Sequence, residues 1–219
     1  MIPSNCIQKI GTIERTYKMI AIIDYGAGNM KSLQFALNRK GLECCVTTEK
    51  KQILNSTAMI LPGVGAFQDA MTTLKQKDLI NTIKDETTKG KPLLGICLGM
   101  QLFYETSEED GEWEGFGLLK GKVSRINYTV KVPHIGWNTL HMQRSSSICQ
   151  NIPNNAFVYY VHSYAVKEYA YNSLVASTAY GGTIPAIVQQ DHIIGMQFHP
   201  EKSGNVGLQL LANFGEMIS

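Results

Sequence analysis

The chain lacks any run approaching the ~18 consecutive apolar residues that a membrane-spanning helix requires, so no such helix is expected. A secretory leader is missing too. Met1 to Lys18 mixes Ser, Asn, Gln, Lys, Glu and Arg among single apolar residues, with no continuous apolar segment. Both absences point to a cytoplasmic protein. Charge of one sign is scarce: the formal net charge is +2, and the Lys and Arg residues are scattered. So weak a field draws neither nucleic acid nor a membrane surface. The five cysteines (Cys6, Cys44, Cys45, Cys97 and Cys149) are odd in number and contain no CxxC pair. A chain of this size does not depend on disulfide staples. No His or Cys cluster has metal-ligand spacing, and nothing implies a cofactor. Internal repeats, low-complexity tracts and interdomain linkers are absent as well.

What the chain does have is an ordinary globular composition, 44% hydrophobic and 17% charged over 219 residues. That fits one α/β domain, placed here at residues 19–219, behind an N-terminal appendage of residues 1–18. Met19 to Ile23 reads as a buried strand, Met30 to Lys40 as a helix ending at Gly41, and Glu43 to Thr47 as a second strand. The pattern recurs: strand over Ala58 to Leu61, turn at Pro62-Gly63-Val64-Gly65, helix from Phe67 to Lys75, and a further helical stretch from Asp78 to Thr88. Leu93 to Ile96 is another strand, followed after Cys97 by a helix through Gln101, Leu102 and Tyr104. Such alternation predicts a parallel sheet covered on both faces. Beyond it lie short strand-like runs at Gly121–Ile126, Phe157–Ser163, Leu174–Thr178, Ala186–Gln190 and Ile193–Phe198, with a closing helix from Val206 to Phe214. Several of these runs should pair antiparallel. The expected fold is therefore α/β, with an open, mixed, mostly parallel sheet.

The sharpest chemical signal is Gly95-Ile96-Cys97-Leu98-Gly99, a G-x-C-x-G at a strand-to-helix junction. It is the cysteine form of the nucleophile elbow. A tight turn lifts Cys97 above the sheet edge, flanking glycines leave room for a strained backbone, and a helix N-terminus favours the thiolate. The N–H of Leu98 is placed to face a developing oxyanion. The plainer alternative is a buried cysteine between two packing glycines. A thiolate nucleophile also needs a base, and His199-Pro200-Glu201 follows a predicted strand. Residues two apart on an extended segment face the same way. Glu201 can then hold one nitrogen of His199 and leave the other for Cys97. Alone, His199 would read as an unremarked strand-end histidine. Its placement with Cys97 at predicted strand ends, the edge where α/β sheets form their sites, favours the functional reading. The turn Pro62-Gly63-Val64-Gly65 can supply a second oxyanion donor from the N–H of Val64 or Gly65, and Val64 is taken with Leu98 as the pair. As a bare P-G dipeptide the turn is common.

These pieces together resemble the class I (triad-type) glutamine amidotransferases, whose two signatures are the elbow and His199-Pro200-Glu201. Within the class, Asp24–Asn29, Leu61–Phe67, Cys97–Gln101, Pro133–Asn138, Tyr160–Tyr164 and Gln197–Ser203 are similar to the motifs of the glutaminase subunits of imidazole glycerol phosphate synthase. They run in that family's order from Met19 onward. The resemblance implies a flavodoxin-like fold with helices on both faces of the sheet. It also implies hydrolysis of L-glutamine to glutamate and ammonia by Cys97, His199 and Glu201. It places Gly65, Gln101, Glu109, His162, Ser163 and Tyr164 on glutamine, and Asn29, Trp137, Tyr159 and Lys202 at a partner interface. The implied partner is the (β/α)8-barrel cyclase subunit, forming a heterodimer. The cyclase uses ammonia to make imidazole glycerol phosphate, for histidine biosynthesis, and a carboxamide ribotide. Trp137 also has a plain reading as a core residue. Residues 1–18 have no counterpart in the family pattern: a native extension, an upstream start codon or a disordered arm would each produce them. A related reading keeps the glutaminase and changes the partner to a synthase such as one that amidates cell-surface sugars. A binding module with a relic triad and a hydrolase of another amide are the readings outside the class.

Overall fold

Residues 19–127 and 129–218 are described in this computed structural model. The expected appendage, residues 1–18, lies outside the described residues. Strand and helix alternate first, in β1 (Ile20–Ile23), α1 (Met30–Arg39), β2 (Cys44–Thr47), α2 (Lys50–Asn55), β3 (Ala58–Gly63), α3 (Phe67–Gln76), α4 (Ile80–Thr88), β4 (Leu93–Cys97) and α5 (Leu98–Gln101). Strands then dominate: β5 (Tyr104–Ser107), β6 (Trp113–Glu114), β7 (Leu119–Arg125), β8 (His134–Thr139), β9 (His141–Met142), β10 (Phe157–His162), β11 (Tyr164–Tyr169), β12 (Leu174–Ala179), β13 (Thr183–Gln190) and β14 (Ile193–Met196). Helix α6 (Gly204–Met217) follows.

The main sheet has the order β2-β1-β3-β4-β14-β13-β12-β9. From β2 to β14 the neighbours are parallel, and from β14 to β9 they are antiparallel. This is the mixed sheet that the change of character along the sequence predicts. The side chains of a strand alternate between faces, and here both faces are covered, so both are apolar. Ile20, Ile22, Ile60, Leu94, Ile96 and Met196 join Leu33 and Leu37 of α1 and Leu210 and Phe214 of α6 in one core. Ala21, Ile23, Met59, Leu61 and Leu93 join Ile53, Phe67, Leu74 and Ile83 of α2 to α4 in the other. Each such side chain contributes roughly 1.5–3 kcal/mol on full burial. No helix among the described residues is long and apolar enough to cross a membrane.

Strands β1, β3, β4 and β14 end at one edge, and this edge carries the site. Gly95 and Gly195 lie side by side in register across β4 and β14. A Cβ at Gly95 would come within 2.5 Å of the Phe103 ring, and one at Gly195 within 2.5 Å of Met100 Cγ. The two glycines form a notch into which the chain after Cys97 drops.

Several expected elements change. The helix after Cys97 stops at Gln101, because the carbonyl of Phe103 accepts the N–H groups of Leu118 and Leu119 and draws Tyr104 into a strand. The run Ile193–Phe198 is strand only to Met196, and Pro200–Lys202 coils into a 3₁₀ turn. Helix α2 and strands β5, β6, β8, β9 and β11 have no counterpart in the sequence reading. Two smaller sheets hold most of these, β8 with β10 and β11-β7-β5-β6.

Candidate active site

Cys97 ends β4 with φ +55° and ψ −112°, a left-sided backbone that a residue with a Cβ adopts only when its surroundings impose it. Gly99 makes the constraint concrete: a Cβ there would lie 1.7 Å from the carbonyl oxygen of Leu61. The first turn of α5 is thus pressed against β3. Its first N–H groups, beginning with Leu98, have no partner inside the helix. Cys97 is 6% exposed. Its thiol donates to the carbonyl of Val161 at 3.7 Å, and Gln197 Nε2 donates to the sulfur at 3.9 Å.

His199 follows β14 with an extended backbone, and its N–H donates to the carbonyl of Tyr159. Nδ1 of His199 lies 2.9 Å from Glu201 Oε1, with both side chains buried. The expected contact is present, but strand alternation does not make it. Glu201 sits in the 3₁₀ turn that begins at Pro200, and the turn brings the carboxylate back to the ring. Burial opposes the charged imidazolium, yet the interactions with Cys97 and Glu201 outweigh it and push the pKa of His199 up to about 10. Nε2 of His199 is buried and has no hydrogen-bond partner among the described residues, so it remains available to a reacting group. Ser203 stiffens the turn: its hydroxyl donates to the carbonyl of His199 at 2.7 Å and accepts from the N–H of Tyr159 at 3.0 Å.

A cleft of about 310 Å³ opens over the sulfur. Val64, Leu98, Gly65, Gln101, Glu109, His162, Ser163 and Tyr164 all line it with Cys97, so the expected oxyanion and glutamine residues surround one space. Glu109 Oε2 accepts the N–H of Phe67 at 2.7 Å, which caps α3 from across the cleft. Burial, opposed by that bond, raises the pKa of Glu109, and Asp110 and Asp69 add to the rise. His162 lines the cleft with both ring nitrogens already engaged. Nδ1 lies 2.9 Å from the carbonyl of Tyr164, so it carries the proton, and Nε2 accepts from Nδ1 of His134 at 3.0 Å. His134 is stacked between the rings of Tyr160 and Tyr180.

The expected interface residues do not line this cleft. Trp137 and Tyr159 face each other across β8 and β10, with ring centroids 5.8 Å apart. Trp137 is 56% exposed, so its reading as a core residue falls. Ile135 and Phe157 share its face of the two-stranded sheet and are as exposed. Asn29 caps α1 by accepting from the N–H of Ser32, and Lys202 is exposed in the turn that holds Glu201. Gln197, Ser203 and His134 have no role assigned by the sequence alone. A polar residue within the apolar run Ile193–Phe198 is the signal that marks Gln197.

A cysteine on a strained elbow, a buried histidine–carboxylate pair and a cleft over the sulfur make the arrangement of a site for nucleophilic catalysis by a thiol. The family model described as "Glutamine amidotransferase class-I" matches residues 21–217. The chain is 58% identical over 200 residues to the "Imidazole glycerol phosphate synthase subunit HisH" of Oceanobacillus iheyensis, covering 91% of this chain and 100% of that protein. It is 47% identical to the subunit of the same name from Caldanaerobacter subterraneus, over 91% of this chain and 98% of that one. Among solved structures, the fold is similar to "Structure of PurLQS from Thermotoga maritima", with a TM-score of 0.74 and 18% identity over 93% of this chain and 100% of that chain. The chain belongs to the class-I glutamine amidotransferases and, within them, to the HisH subunits of imidazole glycerol phosphate synthase.

Proposed function

We propose that this chain, through a domain of residues 19–219, hydrolyses L-glutamine and delivers the ammonia to a cyclase partner in cytoplasmic histidine biosynthesis. One observation carries the proposal: a single cleft joins Cys97 to Gly65, Gln101, Glu109, His162, Ser163 and Tyr164, and Cys97 interacts with His199 of the His199–Glu201 pair. Cys97 gives its proton to His199 Nε2 and attacks the side-chain amide carbon of glutamine. The N–H groups of Leu98 and Val64 hold the resulting oxyanion. His199 then protonates the departing nitrogen, and ammonia leaves a glutamyl thioester. The Glu201 carboxylate on Nδ1 helps the ring hold that proton until the C–N bond breaks. Water, deprotonated by the same ring, attacks the thioester and releases glutamate. Glu201 keeps Nδ1 protonated throughout.

The cyclase, a (β/α)8 barrel, docks on the surface that carries Asn29, Trp137, Tyr159 and Lys202. The exposed apolar stripe of Ile135, Trp137 and Phe157 supports this reading, because such stripes mark protein interfaces. Ammonia that crosses without meeting bulk water stays unprotonated and nucleophilic. The chemistry at Cys97 is tested with a thiol-reactive glutamine analogue. Covalent labelling of Cys97, blocked by glutamine, is expected; an unlabelled Cys97 in folded protein would contradict it.

A further inference from the structure

Gln197 is completely buried at the end of β14, a place where an uncharged amide side chain must find partners. Its Oε1 accepts from Gln101 Nε2 at 3.0 Å, and the other N–H of Gln101 donates to the carbonyl of Tyr164 at 2.8 Å. These bonds fix both amide orientations. The carbonyl of Tyr164 can only accept, so Gln101 must present its nitrogen there. That nitrogen carries both hydrogens, and its second one faces Gln197. Turning Gln197 over would set donor against donor. Its Nε2 is therefore the end that faces Cys97, 3.9 Å from the sulfur.

The other contact of the sulfur is the carbonyl of Val161, which accepts from the thiol and would repel a thiolate. A buried N–H donor beside the sulfur favours the anion, because a hydrogen bond to the charged form stabilises that form. We infer that Gln197, oriented by Gln101 and the Tyr164 carbonyl, donates to Cys97 Sγ and stabilises the thiolate alongside His199. Tyr164 and Gln101 also line the cleft, so the chain of bonds runs from the glutamine-facing wall to the attacking atom. This deepens the role proposed for Cys97 and rests on it.

The two variants that test it are Q197E and Q197M. Q197E keeps an oxygen that accepts from Gln101 but removes the N–H aimed at sulfur. Q197M removes both. The readout is the rate of Cys97 alkylation by iodoacetamide against pH, followed by mass spectrometry in the unmutated chain, each variant and Cys97→Ala. In folded Q197M, which adds no charge, the thiol titration should move up by about one pH unit or more, with alkylation at pH 6.5 slowed about tenfold or more. Q197E should move at least as far, because its carboxylate also repels the thiolate. A folded Q197M with the native pH profile would overturn the inference. Should the variants not fold, the unmutated chain still decides: the Gln197 side-chain amide protons should shift downfield in NMR as Cys97 ionises, and stay put in Cys97→Ala. An unmoved amide would overturn the inference. A native Cys97 with no selective reactivity would instead overturn the nucleophile role beneath it.

Discussion

Nδ1 of His199 and Oε1 of Glu201 are 2.9 Å apart, held by a 3₁₀ turn rather than by strand alternation, and both side chains are almost fully buried. A carboxylate so placed fixes the tautomer of the ring and balances the imidazolium. Glu201→Gln keeps the shape and removes the charge. Glutamine-dependent turnover should fall by about 10²- to 10⁴-fold with little change in melting temperature. A variant within threefold of the native rate would remove Glu201 from the reaction.

Cys97→Ala should abolish glutamine-dependent synthesis in the complex, by about 10³-fold or more, while sparing synthesis driven by added ammonium. The check is paired assays with the two nitrogen donors. Loss of both would mean that the substitution had disturbed folding or docking.

Gly99→Ala addresses the elbow itself. A Cβ placed 1.7 Å from the Leu61 carbonyl meets backbone, which cannot swing aside as a side chain would. Destabilisation of about 3 kcal/mol or more is expected in denaturant titrations. A native midpoint would show that α5 and β3 can separate at no cost.

The His134–His162 pair sets an acid limit. Burial pushes His134 down to about 4, and burial aided by repulsion from His134 and His199 pushes His162 down to about 3, against the Tyr164 bond. Both pKa values are depressed, so their contribution to stability is present above the unfolded value near 6.5 and is lost as pH falls towards 4. His199 has the opposite sign. Its contribution is present below 6.5 and lost as pH rises through about 10. Between pH 6.5 and 4 the histidine pair therefore dominates among these rings, and stability should fall by about 2 kcal/mol or more. Urea midpoints at pH 7 and 4 measure this, and His134→Phe should flatten the slope.

Much of this architecture is legible in the sequence because each signal is local. β1, β3 and β4 are short apolar runs bounded by turn residues, and the elbow glycines announce the strained cysteine. Tyr104 reads as helical in the sequence because its strand depends on a distant partner, Leu119. Strands β8 and β11 stayed hidden for a similar reason. They belong to small sheets, and β8 exposes Ile135 and Trp137 on one face, so its pattern does not separate core from surface. Among the site residues, the side chains at the elbow and in the His199 turn could be picked by chemistry. Gln197 shows only as a polar residue in an apolar run and His134 not at all, since their meaning comes from hydrogen bonds that span 96 and 28 residues of chain.

Trp137 is where the surface and the chemistry should meet. Trp137→Ala should leave the fold and Cys97 labelling intact and weaken binding of the cyclase by about 2 kcal/mol, roughly thirtyfold, in titrations of the complex. Unchanged affinity would move the interface elsewhere.

The most direct test is glutamate release from glutamine by the purified chain, alone and mixed with the cyclase subunit of imidazole glycerol phosphate synthase and its nucleotide ligand. Slow release alone and strong stimulation on mixing are expected, lost in Cys97→Ala. Rapid release that ignores the cyclase, or none in either case, would contradict a glutaminase built to serve that partner.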